Sequence, residues 1–247
     1  MTAGTIFQDS RLPLALWFRA IWYVTSQKNG VSALGVQRIL GLGSYQTAWS
    51  WLHKLRRAMV RPGREKLKGL VEVDETYLGG LEQGSAGRGT KDKALIVVAA
   101  EAAGDGIGRI RLRQVPDASS HSLQEFIEQA VERGNTVRTD GWQGYAGLER
   151  RNYQHQVQVI GNPRQASKLL PRVHRVISLL KRWLMGTHQG AVSHAHLDYY
   201  LDEFVFRFNR RTSASRGKLF YRLIQQAVQV EPAPYQTLVH PQRIGGG

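Results

Sequence analysis

Two aspartates stand where a fold could bring carboxylates together. Asp74 lies within Val71–Leu78, where bulky residues alternate with acidic ones as in a β-strand. Asp140 directly follows Thr136–Thr139, a short run of strand-forming residues. Neighbouring carboxylates repel each other unless a divalent cation lies between them, and all-oxygen ligands suit Mg²⁺ or Mn²⁺. Two such ions a few ångströms apart can assist an in-line displacement at phosphorus.

Asp74 is followed directly by Glu75, and successive residues of a strand point to opposite faces of the sheet. One of the two carboxylates is therefore expected to face a site, and the other to face packing or a structural hydrogen bond. Taken alone, the pair is equally consistent with a solvated edge strand. The choice between these interpretations depends on matching residues farther along the chain.

A third ligand for such a site is expected on a helix that crosses the sheet. Pro171–Met185 carries apolar residues at helical spacing, which predicts a helix packed against the sheet. His174 and Lys181 are seven residues apart, close to two turns, and so share one face of this helix. We expect that face to point into the cleft, where His174 is a candidate third ligand and Lys181 a candidate phosphate contact. Each also has an ordinary interpretation, as a hydrogen-bonded surface histidine and a solvated charge.

The predicted order of elements is typical of one fold class. Helices are predicted at Leu14–Ser26, Ala33–Leu40, Tyr45–Met59, Ser120–Arg133, Pro171–Met185, His196–Arg210 and Lys218–Val228, and strands at Val71–Leu78, Ala94–Ala102, Arg109–Val115, Thr136–Thr139 and Val157–Ile160. Three antiparallel strands followed by alternating helices and strands predict an α/β, ribonuclease-H-like fold, a mixed sheet with flanking helices. In that fold the first and fourth strands are neighbours, so Asp74 is expected to lie beside Asp140.

We divide the chain into a helical, helix-turn-helix-like DNA-binding module at 1–62, a catalytic domain at 69–229 and a flexible tail at 230–247. Gly41–Gly43 is the turn of the module. The helix after it carries four basic or imidazole side chains away from its predicted apolar stripe: His53, Lys54, Arg56 and Arg57. The alternative is a small helical packing module with a solvated basic face.

Composition narrows the class of partner. The chain has 247 residues and a net charge of +15, which points to a polyanion, nucleic acid before anionic membrane. Cysteine is absent, which excludes disulfides and thiolate zinc sites and fits a cytoplasmic protein. The sequence shows neither an apolar run long enough to span a bilayer nor a signal peptide. The residues predicted to contact DNA are His53, Lys54, Arg56, Arg57, Arg88, Lys91, Lys181, Arg182, Arg210 and Arg211.

Several motifs in this order resemble one known family. They are Val71-Glu72-Val73-Asp74-Glu75-Thr76-Tyr77 with Gly79-Gly80, Thr139-Asp140-Gly141-Trp142 with Gly144-Tyr145, His174-Arg175-Val176 with Leu180-Lys181-Arg182-Trp183-Leu184, and Tyr200-Leu201-Asp202-Glu203-Phe204 with Phe206-Arg207-Phe208-Asn209-Arg210-Arg211. They are similar to motifs of the ISXO2-like transposases of bacterial insertion sequences. The resemblance covers nearly the whole chain and includes Thr2–Phe7 and Trp49–Met59.

The resemblance implies a DDE-type transposase that depends on a divalent metal, Mg²⁺ or Mn²⁺, with two ions expected. It places the first two acidic positions on Asp74 and Asp140. The third position precedes a lysine by seven residues, which assigns it to His174 before Lys181. Histidine departs from the acidic pattern and suits Mn²⁺ better than Mg²⁺. Glu203 is the rival third ligand.

The implied activity is binding of the element's terminal inverted repeats, cleavage at their 3′ ends and joining to target DNA. Pairing of two ends implies a homodimer or a larger assembly. Relatives carry a Cys-rich zinc ribbon that is missing here, so a truncated, binding-only remnant is the alternative, and a metal nuclease acting on DNA junctions is a third. Trp142 and Tyr145 are candidates to stack on distorted DNA, although core packing is favoured for them.

Overall fold

The computed structural model describes residues 2–61, 63–79, 93–158, 169–190 and 192–240. The chain forms two compact units. One comprises Met1–Arg64, Thr187–Gln189 and Ala195–Gly247, and the other comprises Glu65–Gly186 and Gly190–His194. We call them the helical unit and the sheet unit.

The sheet unit is built on a mixed five-stranded sheet. Its strands are β1 (Leu70–Leu78), β2 (Ala94–Ala103), β3 (Gly106–Val115), β4 (Thr136–Thr139) and β5 (Gln154–Val157), in the order β3-β2-β1-β4-β5. The first three strands pair antiparallel, while β4 runs parallel to both β1 and β5. This is the predicted ribonuclease-H-like arrangement, with β1 at the centre. The last strand lies three residues earlier than predicted, and Ile160 lies outside the described residues.

One face of the sheet packs on helix α4, which spans Ser120–Ala130. Ser119 caps the helix by accepting a hydrogen bond from the backbone N–H of Ser122. The prediction that it continues to Arg133 is wrong. Val131 has extended backbone and forms a parallel bridge with Leu67, whose N–H donates to the carbonyl of Ala130. This strand-like pairing takes up backbone groups that a longer helix would use for itself.

Helix α5 spans Pro171–His188 and buries Val173, Val176, Ile177, Leu180 and Leu184 along one stripe. It was expected to end at Gly186, yet the helix runs through that residue. One glycine inside a helix costs only about 0.5–1 kcal/mol relative to alanine, so a glycine alone does not terminate it.

The helical unit contains α1 (Leu14–Ser26), α2 (Ala33–Leu40), α3 (Tyr45–Ala58), α6 (Leu197–Phe208), α7 (Arg216–Ala227) and α8 (Tyr235–Val239). Helix α3 packs against α2, α6, α7 and α8. Trp51 of α3 stacks on Trp17 of α1, with ring centroids 3.9 Å apart. The helices after the sheet therefore form a core with the N-terminal helices.

This grouping differs from the predicted domain boundaries, which assigned 69–229 to one domain. The difference arises because α6 and α7 supply apolar residues, among them Phe206 and Leu223, to the core of the N-terminal helices. The predicted flexible tail is also partly ordered, since Ala233 and Leu238 are buried. Residues 241–247 lie outside the described part. None of the helices in the described ranges combines the length and the apolar character that a membrane span requires.

Candidate active site

Strand β1 directs its acidic side chains to two different faces of the sheet. Glu72 and Asp74 are two residues apart and contact helix α5. Glu75, which directly follows Asp74, points to the opposite face and accepts a hydrogen bond from the hydroxyl of Tyr145. The alternation of β1 thus separates Asp74 from Glu75, as the strand pattern predicts.

Asp74 and His174 are in direct contact. His174 Nε2 lies 3.0 Å from Asp74 Oδ2, and the two side chains are 29% and 15% exposed. The other oxygen of Asp74 accepts a hydrogen bond of 2.9 Å from the backbone N–H of Glu75. The pair is partly open to solvent and is built from the centre of the sheet and the first turn of α5.

Asp140 follows the last residue of β4. The parallel register pairs Glu72 with Arg138, so two residues farther along both strands Asp74 comes level with Asp140. Asp140 Oδ1 accepts a hydrogen bond of 3.0 Å from the backbone N–H of Trp142, which fixes the turn after the strand. The register therefore brings the two aspartates level with each other, Asp74 in the middle of β1 and Asp140 directly after the end of β4.

The electrostatics of Glu75 report on both aspartates. Burial raises the pKa of Glu75, the negative charges of Asp74 and Asp140 raise it further, and the hydrogen bond from Tyr145 opposes them. Tyr145 is fully buried, and burial followed by the charge of Glu75 raises the pKa of its hydroxyl well above the ordinary value. Tyr145 is thus a core residue, whereas Trp142 is 51% exposed and donates its indole N–H to the carbonyl of Ala118.

Glu72 anchors the start of α5, a role that the sequence reasoning missed. Its carboxylate is fully buried and accepts hydrogen bonds from the backbone N–H groups of Arg172 (2.7 Å) and Val173 (3.1 Å). The guanidinium of Arg172 donates to the other oxygen of Glu72 and to the carbonyls of Gly104 and Gly106. The period-two spacing of Glu72 and Asp74 in the sequence was the available signal.

The donor set fits a hard divalent cation in its chemistry. Asp74 and Asp140 offer carboxylate oxygens, which suit Mg²⁺ or Mn²⁺, and His174 offers an imidazole nitrogen, which favours Mn²⁺ over Mg²⁺. Asp74 and His174 are in contact, and the strand register brings Asp140 level with Asp74. Across the described ranges, no three His, Cys, Asp or Glu residues are gathered closely enough to form a metal-binding group.

Two of the predicted DNA-binding residues are inaccessible. His53 is fully buried and Arg56 is 2% exposed, because α3 is covered by other helices on more than its apolar stripe. Their assignment to a DNA-facing surface is wrong. Lys54 and Arg57 are half-buried on the same helix, and burial lowers the pKa of Lys54. The α2-turn-α3 pair is present as elements, but its second helix has no open side of the predicted kind.

Arg56 belongs to a buried ion network with Glu203 and Arg207. Arg56 Nε lies 2.8 Å from Glu203 Oε2, and Arg207 Nη2 lies 2.7 Å from Glu203 Oε1. Burial alone would raise the pKa of Glu203, but the charges of Arg207 and Arg56 outweigh it and lower the pKa to about 2. Both carboxylate oxygens are engaged in the core of the helical unit, so Glu203 is not the third metal ligand.

The other predicted basic residues divide by exposure. Lys181 and Arg182 are exposed on α5. Arg210 and Arg211 lie with their guanidinium groups over the rings of Phe206 and Phe208, at 4.1 and 4.0 Å from the ring centroids. Arg88 and Lys91 lie outside the described residues.

The order and directions of the strands are those of the ribonuclease-H-like class of proteins. A comparison with protein families goes further, since residues 66–209 match the ISXO2-like transposase domain. The chain belongs to this family. Its function is therefore of the transposase kind. No curated protein matches the sequence.

Solved structures show only distant similarity. A chain of the simian T-cell lymphotropic virus intasome in complex with PP2A regulatory subunit B56 gamma is 15% identical over 85% of this chain and 72% of that chain, with a TM-score of 0.40. A chain of the Mos1 strand transfer complex is 14% identical over 89% of this chain and 79% of that chain, with a TM-score of 0.32. A chain of a pre-cleavage Mos1 transpososome is 14% identical over 92% of this chain and 81% of that chain, with a TM-score of 0.34.

Proposed function

We propose that this protein is a DDE-type transposase that binds the terminal inverted repeats of an insertion sequence, cleaves their 3′ ends and joins them to target DNA. Its family membership supports the reaction class. The observation that carries the proposal is the 3.0 Å contact between Asp74 and His174, together with the register that brings Asp140 level with Asp74.

In this proposal Asp74, Asp140 and His174 hold the metal, Mg²⁺ or Mn²⁺, in one or two positions. When bound, such ions activate the attacking oxygen and stabilise the leaving oxygen at phosphorus. The two carboxylates supply the negative charge that retains a divalent cation. His174 reaches the same place from the first turn of α5, because Glu72 holds that turn against β1.

Lys181 and Arg182 are proposed to contact DNA phosphates beside the reacting strand. Both are exposed, and Lys181 lies close to two turns beyond His174 on the same face of α5. A cation in that position attracts the phosphodiester without competing for the metal. Glu75 is kept apart from this chemistry, since its carboxylate is bound to Tyr145 on the other face of the sheet.

The test uses a labelled duplex that carries the element's terminal repeat, incubated with Mg²⁺ or Mn²⁺. We expect nicking at the 3′ end of the element. Asp74→Asn is expected to abolish it while leaving binding of the duplex unchanged. Asp105→Asn is the matched control, since Asp105 is exposed in the turn between β2 and β3.

The same assay separates the other candidate activities. Wild-type protein that binds the repeat but cuts nothing with either metal would contradict the proposal and favour a binding-only remnant. Equal cutting of the repeat and of an unrelated four-way junction would favour a junction nuclease. Loss of cleavage in Asp105→Asn as well would show that the effect of Asp74→Asn is not specific to the site.

A further inference from the structure

Helix α7 presents a polar face that nothing in the described helical unit covers. Its buried positions are Leu219, Leu223, Gln226 and Ala227, which face the core shared with α1 and α3. The exposed positions Lys218, Tyr221, Arg222 and Gln225 recur at spacings of three and four residues. Residues so spaced lie on one side of a helix, and we call this side the α7 face.

The α7 face is cationic. Helix α7 carries three basic residues and no acidic one in the sequence RGKLFYRLIQQA. Arg222 lies within electrostatic reach of Arg210, whose pKa is lowered first by burial and then by the positive charges of Arg222 and Arg61. An anionic partner would stabilise the charged form of Arg210 in this basic surrounding.

The side chains of the α7 face are available for a partner. Over the ranges that the structure describes, those of Lys218, Tyr221, Arg222 and Gln225 make neither a hydrogen bond nor an ion pair with the rest of the chain. Tyr221 is 63% exposed, the largest exposure among the bulky apolar and aromatic side chains described. Binding a ligand would therefore break no internal interaction of these four residues.

The helix itself is held firmly. Ser215 caps it by accepting a hydrogen bond from the N–H of Lys218. Phe220 meets Trp22 of α1 edge to face, with centroids 5.8 Å apart, and Leu223 and Ala227 are fully buried. A rigid helix that displays its outer side chains loses little conformational entropy on binding.

The dimensions and chemistry match a DNA groove. An α-helix with its side chains is about 10–12 Å across, and the major groove of B-form DNA is about 12 Å wide. Arginine pairs with guanine and glutamine with adenine at base edges, whereas lysine contacts phosphate. We propose that the α7 face docks into the major groove of duplex DNA, as the DNA-reading surface of the helical unit. This proposal rests on the proposed function, since it assigns the repeat-binding step to a surface.

The experiment measures binding of the full chain to two duplexes, one with the terminal repeat and one unrelated. Arg222→Ala and Gln225→Ala are each expected to weaken binding to the repeat by about fivefold to a hundredfold and to reduce the preference over the unrelated duplex. Lys218→Ala should weaken both similarly and lower the slope of log affinity against log salt by about one. Circular dichroism checks that each variant is folded.

Two matched controls remove the same charges elsewhere on the helical unit. Lys28→Ala and Arg38→Ala replace exposed residues after α1 and on α2. Both are expected to leave binding to the repeat within twofold of the wild type, about the scatter of exposed-site substitutions. A loss in Arg38→Ala without one in Arg222→Ala would overturn the proposal in favour of α2.

An RNA duplex of the same sequence tests the groove. Its major groove is too deep and narrow for side chains to read, so Arg222→Ala and Gln225→Ala should not change binding to it. Equal losses on RNA and DNA would overturn groove docking. Unchanged DNA binding in all α7 variants would also overturn the inference and leave the proposed function standing. If the wild type bound no DNA, both the docking of the α7 face and the proposed function would be contradicted.

Discussion

At the scale of single residues, Glu203 shows how neighbours decide the role of a carboxylate. It lies at 1% exposure between Arg56 and Arg207, and Arg56 also lies 3.9 Å from the ring centroid of Tyr200. Removing one member of a buried ion network leaves the others as uncompensated charges. Glu203 therefore stabilises the core of the helical unit, whereas the carboxylate of Asp74 is partly exposed and accessible to a ligand.

We therefore predict that Glu203→Ala destabilises the protein by about 3–5 kcal/mol, because Arg56 is left buried without a counter-ion. Urea unfolding measures this change. Glu231→Ala, an exposed glutamate in the same unit, is the control and should leave stability almost unchanged. A stable Glu203→Ala variant that had lost only metal-dependent cleavage would instead restore Glu203 as a metal ligand.

His53 predicts how stability changes with pH. Burial, followed by the charge of Arg56, lowers its pKa from 6.5 to about 2, so His53 is neutral in the folded protein. The unfolded chain takes up a proton as the pH falls below the ordinary value, and stability is lost from there down to the folded pKa. Lowering the pH from about 7.5 to about 5.5 should cost about 1.4 kcal/mol through this residue.

The measurement is the free energy of unfolding against pH for the wild type and for His53→Gln. The variant loses the contacts of His53 with Trp49 and Tyr199, which changes its absolute stability, but its stability should decline less steeply as the pH falls. His240→Gln, at an exposed position of the same unit, should keep the wild-type slope. Identical slopes for all three proteins would contradict the prediction.

At the scale of elements, helix α5 brings His174 to Asp74 from its first turn. Glu72 accepts three hydrogen bonds there, and Arg172 ties the same turn to the hairpin between β2 and β3. His174 follows Arg172 by two residues, so the position of its ring depends on this anchor. A displacement of about 1 Å at a reacting group can cost a hundredfold in rate.

We predict that Glu72→Gln lowers metal-dependent cleavage of the repeat by at least about tenfold while DNA binding stays unchanged. The amide keeps the shape of the side chain but loses its charge and one acceptor. Glu65→Gln is the matched control, because Glu65 is 75% exposed and pairs with Arg109 away from α5. A rate that fell only in proportion to the unfolded fraction would show a purely structural role for Glu72.

The elements also show what the sequence could predict. Strand alternation and the order of strands were enough to predict that β1 and β4 are neighbours and that Asp74 and Glu75 face opposite sides of the sheet, because these features depend on local pattern and topology. The single apolar stripe of α3 was not enough, since this helix contacts several others and so buries His53 and Arg56 as well. Packing on more than one side comes from contacts distant in sequence, which helical periodicity does not encode.

The same reasoning explains Glu72 and the α7 face. Glu72 was visible as a period-two neighbour of Asp74, but its partner Arg172 is separated from it by 100 residues. The sequence predicted α7 only as a helix at Lys218–Val228. It did not reveal that α7 joins the N-terminal helices, because that depends on the fold of the intervening sheet unit.

At the scale of the whole molecule, only some of the basic residues behind the net charge of +15 are exposed to a partner. Three arginines form ion pairs with the buried carboxylates of Glu203 and Glu72 and are not available to a polyanion: Arg56, Arg207 and Arg172. Exposed cations such as Lys181, Arg182 and Lys218 remain. The charge that acts on a partner is therefore carried by a subset of exposed residues on both units.

This distribution predicts a strong salt dependence of binding to DNA of any sequence. Each phosphate neutralised contributes a slope of about −0.9 in log affinity against log salt, and six or more contacts would lower affinity about a thousandfold between about 50 and 200 mM salt. Fluorescence anisotropy with an unrelated duplex measures the slope. A peptide nucleic acid duplex of the same sequence is the control, since it lacks phosphates and should bind weakly at every salt concentration. A slope near zero on DNA would mean that the basic residues are engaged within the protein and that recognition of DNA rests on uncharged contacts.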